Sequence, residues 1–265
     1  MKTPSAYRPE LLFLLVAVAI SIAGFWNVYF GKGADPNSYH HLHVVSNFFW
    51  LSLLVIQLYL VGSGDYKKHR TLGILVMVAA PLLVASTALL SVHSAHKGIA
   101  SGKGDMLLVQ NVTVTLELAL LILFAFIFRR RRKLHGAFLL STAILFLGIA
   151  LFFTLISFVP GFKVEGPGTF HRFQTSAMAA SIVCLVVGLL LFLRDVKNAW
   201  PLLVSGSLLI VNEVIRIGLD GQGLIAPLTA FVGSLNQTLT FVVSLSVFAS
   251  LLVATGLMRR DPRLA

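Results

Sequence analysis

The chain has 265 residues, 57% hydrophobic and only 12% charged, with a formal net charge of +11 and a mean hydropathy of +0.89. A soluble domain of this length needs far more charge to cover its surface, which excludes that class. Apolar runs of about 20 residues, enough to cross roughly 30 Å of hydrocarbon, recur throughout; the chain reads as an all-α, polytopic transmembrane helical bundle in a single integral domain.

Eight spans are predicted, at 10–30, 39–62, 71–93, 106–128, 137–159, 172–193, 200–219 and 229–257. The first follows a weakly basic start but is too long for a signal peptide and lacks a small-residue cleavage site. It ends in the aromatic belt FWNVYF (25–30) and is expected to remain. The second opens with SYHHLHVVSNFFW (38–50). There His40 and His43 are three residues apart and share a helix face that Asn47 extends, while His41 points about 100° away. After a basic turn, KKHRTLG (67–73), the third span carries Pro81 at its middle, expected to kink it. It ends at His93 and His96, again three residues apart.

The fourth span bears Gln110, Asn111, Thr113 and, near mid-membrane, Glu117. RRRRK (129–133) and His135 precede the fifth; FHRFQTS (170–176), with His171, opens the sixth, which also holds the lone cysteine, Cys184. Asn212, Glu213 and Arg216 close the seventh, with an expected Glu213–Arg216 ion pair, and Asn236, Gln237 and Thr238 open the eighth.

Fifteen of the twenty-one Lys and Arg residues fall on one side of this topology. By the positive-inside rule both termini are expected in the cytoplasm of a bacterial cell, with the protein multi-pass in its inner membrane. RRRRK is then a topogenic anchor facing anionic headgroups, on a loop too short to bind nucleic acid. A single cysteine excludes Cys-x-x-Cys metal sites.

Six histidines, His40, His41, His43, His93, His96 and His171, fall at the outer ends of the spans, and His69 and His135 at the inner ends. Antiparallel spans 2 and 3 should bring both histidine pairs to one depth. Intramembrane polar groups normally face a bundle interior or a watery cavity, so an outward-facing polar cavity is expected. His40, His43, His93, His96 and Glu117 are the candidate ligands for a transition metal such as Zn, Cu or Fe. Alternatively, histidines on facing helices would clamp a haem b. Either points to membrane redox or metal-dependent chemistry. The rival readings are a proton-coupled transporter or binding protein for a small solute, and a structural subunit with other membrane proteins as partners.

FWNVYF, HLH (41–43), Trp50, Gln57, KKHRTLG and RRRRKLHGAF (129–138) resemble a family of bacterial polytopic membrane proteins. Its members carry FW-x-x-YF, HLHG, a Trp and a Gln along the second helix, and basic LHRRLG and HKRLM segments. The likeness covers about the first 150 residues; Val44 stands in place of the glycine, and Gly136 follows His135. It implies a membrane location and weight on His41, His43, His69 and His135 as cofactor-binding candidates, with His171 added by its depth. It implies no reaction.

Overall fold

The computed structural model describes residues 7–102 and 104–257. Lys2, Lys103, Arg259, Arg260 and Arg263, which contribute to the charge asymmetry, lie outside the described residues. The described chain forms ten α-helices: α1 (Arg8–Gly24), α2 (Ser38–Ser63), α3 (Tyr66–Gly73), α4 (Val76–Ser101), α5 (Leu108–Ile127), α6 (Arg132–Phe158), α7 (His171–Leu193), α8 (Trp200–Gly221), α9 (Ile225–Gly233) and α10 (Gln237–Leu257). Seven of these, α2, α4, α5, α6, α7, α8 and α10, are long and apolar enough to cross a membrane. In such helices the backbone satisfies its own hydrogen bonds, the condition for crossing hydrocarbon. The predicted span at 10–30 is α1, of 17 residues, followed by a π-helical turn at Trp26–Phe30.

Two boundaries differ from expectation, each through a local cap. The turn after the second span holds a helix of its own. Gly64 takes the left-handed conformation (φ 79°) that ends α2, and Asp65 then caps α3 by accepting from the Lys68 N–H at 3.1 Å. The consequence is that α4 starts five residues later than the predicted span and runs on to Ser101, so His93 and His96 lie within it. It runs unbroken through Pro81. The last predicted span is divided, because Asn236 accepts from the Leu239 N–H (2.9 Å) and starts α10 afresh. The preceding segment becomes α9, laid across the end of α4, where the Thr229 hydroxyl accepts from the Asp105 N–H at 3.0 Å.

Helix α6 is the hub, packed by α1, α5, α7 and α8; α4 gathers α2, α5, α9 and α10. Their shared core includes Leu14, Trp50, Leu83, Leu118, Ile122, Ile144 and Leu252. The bundle has two chemically distinct ends. At the basic end Lys133 pairs with Asp195 (2.5 Å) and Arg194 with Glu10 (3.5 Å). At the opposite, histidine end lie the starts of α2 and α10 and the close of α4.

Candidate functional site

The histidine end is built from a helix cap. Asn37 precedes α2, and its side-chain oxygen accepts from the N–H groups of Tyr39 (3.1 Å) and His40 (3.2 Å). The reciprocal bond of this capping box, normally returned by Glu or Gln, comes from an imidazole: the Asn37 N–H donates to His40 Nδ1 at 3.2 Å. With its oxygen so engaged, the Asn37 amide nitrogen must face the other way, and it donates to His93 Nε2 on α4 at 3.0 Å. The His40 and His93 rings meet edge to face with centroids 5.5 Å apart.

A second set of bonds ties in α10. The Tyr39 hydroxyl donates to Gln237 Oε1. The Gln237 amide donates to His96 Nδ1 (2.9 Å), and His96 Nε2 donates to the Gly233 carbonyl (2.7 Å). Three imidazoles thus latch α2, α4, α9 and α10 at one end. Of the two expected pairs, His40 and His93 are in contact across α2 and α4, while His43 and His96 have other partners.

One turn deeper, His43 Nδ1 lies 3.5 Å from the Ser86 hydroxyl, itself 2.8 Å from that of Ser46. Asn47 is buried with Oδ1 unpartnered, and Trp50 donates to Thr142 at 2.9 Å. His41 faces away, as its 100° offset requires, and meets the Tyr29 hydroxyl at 2.8 Å.

Glu117 is not with the histidines. It sits on the face of α5 toward α8, where the Asn212 amide donates to its Oε1 at 2.9 Å and Oε2 has no partner. Next to Asn212 on α8, Glu213 accepts from Arg216 through both oxygens (2.6 and 3.0 Å) and from Gln110 (3.0 Å). Glu213 and Arg216 are 0% and 3% exposed, so the expected ion pair is fully inside the bundle. Beside it is a void of about 30 Å³, lined by Gln110, Phe152, Phe173, Glu213 and Arg216, room for about one water. The polar residues expected at the outer ends therefore form two clusters rather than one cavity. Among the described residues no three His, Cys, Asp or Glu side chains converge as a metal site would require. His171 is exposed at the start of α7, a helix that packs against α6 and α8.

At the basic end, His69 contacts Gln57, whose amide, oriented to satisfy its neighbours, also accepts from the Gly73 N–H (3.0 Å). His135 bonds the Ala125 carbonyl (2.7 Å) and lies within electrostatic reach of His69. Burial, opposed in part by the Gln57 contact, holds the His69 imidazole below its ordinary value. A depressed folded value means the unfolded chain binds more protons below about pH 6.5, so this contribution to stability is complete above that and fades as pH falls. The thermal midpoint should accordingly drop less between about pH 7.5 and 5 in His69→Gln than in the parent protein. Equal drops would show that His69 does not couple to folding.

Sequence reasoning missed Asn37, Tyr39 and Ser86. Asn37 had a usable signal, an Asn three residues ahead of His40 at the opening of an apolar run; Ser86 had none, since it matters only by facing His43. No family model, curated protein or solved structure matches the chain. What the fold defines is an all-helical bundle of the multi-pass membrane type, with a hydrogen-bonded imidazole latch at one end and a buried ion pair beneath it.

Proposed function

We propose that this is a proton-linked binding or transport protein for a small solute, in the bacterial inner membrane with eight spans and both termini cytoplasmic. The observation that carries it is the pair of N–H groups that Asn37 presents to His40 Nδ1 and His93 Nε2. A ring nitrogen that accepts an N–H bond carries no proton. Both rings are then neutral, His40 protonated on Nε2 and His93 on Nδ1. Adding a proton to His93 places donor against donor between α2 and α4, and adding one to His40 does the same within the α2 cap. Imidazole is the side chain that changes charge near neutral pH, so external acid would loosen the latch. Glu117, with one carboxylate oxygen unpartnered between α5 and α8, supplies a second proton-carrying group deeper in the bundle.

The test uses glutamine, which completes a capping box and accepts an N–H bond but does not titrate. In proteoliposomes with a pH dye inside, external acidification should drive proton entry. The rate should fall at least about tenfold in Glu117→Gln and in His40→Gln/His93→Gln, a tenfold change corresponding to about 1.4 kcal/mol. Hydrogen exchange over residues 37–47, corrected for intrinsic rates, should rise on acidification in the parent and not in His40→Gln/His93→Gln. Proton entry unaffected by either variant, or no entry and an acid-insensitive 37–47 segment, would sink the reading.

A metal or haem is a second reading that requires the Asn37 bonds to break, because the nitrogens they leave over on His40 and His93 carry the ring protons. The observation that favours it is His43, one turn deeper, whose Nδ1 faces Ser86 and whose Nε2 is left to ligate. His96 has both nitrogens engaged and Glu117 lies in the other cluster. On this reading purified protein carries stoichiometric metal or a reduced-minus-oxidised haem band, lost in His40→Gln/His93→Gln. Intact loading of that variant would remove it.

A further inference from the structure

The basic end holds a feature that neither the latch nor the ion pair uses. Between the start of α6 and the connection from α7 to α8 lies an open basin of about 550 Å³ lined by Arg131, Arg132, Lys133, Lys197, Asn198 and Trp200. Four cationic side chains from two separate segments face one space. Three of them are oriented by neighbours: Lys133 by Asp195 (2.5 Å), Arg131 by the Phe128 ring (5.9 Å) and Arg132 by the Tyr66 ring (6.0 Å). Phe128 and Tyr66 thus hold the guanidinium groups in place without neutralising them. Asp195, the carboxylate at the basin, is bound to Lys133 and to the Asn198 amide (2.8 Å).

We propose that this basin seats the phosphate of an anionic phospholipid. Guanidinium groups bind phosphate oxygens bidentately, and basic pockets between membrane helices take acidic headgroups. The apolar surface beside the basin favours a lipid over free phosphate. Trp200 (41% exposed) and Val204, one turn further along the same face of α8, together with exposed Leu193 and Val196, offer a track for acyl chains beside the headgroup. Trp is the residue expected where headgroup meets hydrocarbon. The run RRRRK becomes on this view half of a site, completed by Lys197 about 65 residues later.

The experiment is native mass spectrometry of the full-length detergent-purified protein titrated with cardiolipin, phosphatidylglycerol, phosphatidylcholine and inorganic phosphate. Cardiolipin or phosphatidylglycerol should bind with defined stoichiometry, and phosphatidylcholine should not. Arg131→Ala/Lys197→Ala should weaken the acidic lipid about 30-fold, each cation near an anionic surface contributing about fivefold. Lys67→Ala, which removes an exposed cation of α3 at the same end, should leave binding unchanged. If Lys67→Ala weakens it as much, the attraction is general surface charge and the proposal fails. If inorganic phosphate binds as tightly as the lipids, the site is for soluble phosphate and the lipid assignment fails.

Discussion

Replacing Arg216 with methionine is expected to destabilise the protein by about 3–5 kcal/mol, the cost of leaving one member of a buried pair charged and alone. Glu213 would keep the Gln110 amide at 3.0 Å as its remaining partner while staying fully buried. Adding Glu213→Gln should recover most of the loss, since a neutral amide bonds Gln110 equally well and no net charge is then stranded. Denaturant unfolding of detergent-solubilised protein measures both. A stable single variant would mean that water reaches the carboxylate through the void beside it. A double variant no better than the single would mean that Arg216 matters by its shape rather than its charge.

The second large effect is expected where α7 and α8 touch backbone to backbone. A Cβ on Gly206 would lie 2.7 Å from the Cys184 carbonyl oxygen, and one on Gly188 would lie 2.5 Å from that of Leu202. Carbonyl oxygens cannot rotate away as side chains do, so the helices must separate. Small residues at such crossings are what lets membrane helices approach. Gly188→Ala and Gly206→Ala should each cost about 1–3 kcal/mol, the usual penalty of overpacking. Because α8 also carries Asn212, Glu213 and Arg216, the shift should loosen the Glu117 and Gln110 contacts as well. Gly136→Ala, on α6 with nothing within 4 Å of the new methyl, is the control and should be neutral or stabilise by up to about 1 kcal/mol. Destabilisation by Gly136→Ala equal to that of Gly206→Ala would refute the close-packing account.

Much of this architecture is present in the sequence because it depends on periodicity and local chemistry. Apolar runs of spanning length mark the long helices, since hydrocarbon imposes one length and forbids unpaired backbone. Helical spacing placed His40 and His43 on one face and His41 on another, and made Glu213 and Arg216 neighbours. Antiparallel succession of α2 and α4 was enough to bring His40 to His93.

Tertiary structure alone decided which way Glu117 points. It is one residue in a helix packed against α4, α6, α8 and α10, and its contact with Asn212 on α8 separates it from the histidines. Periodicity fixes a residue's angle on its own helix but says nothing of which helix faces that angle. For the same reason Ser86, Gln237 and the Gly233 carbonyl, far apart in the chain, became partners of His43 and His96 only through packing. The separate helices α3 and α9 turned on single caps at Asp65 and Asn236, where a few hydrogen bonds outweigh continuous hydrophobicity. Composition and spacing determined the bundle and the candidate residues; helix packing determined which polar groups share a site, because contacts between distant segments leave no periodic mark on the chain.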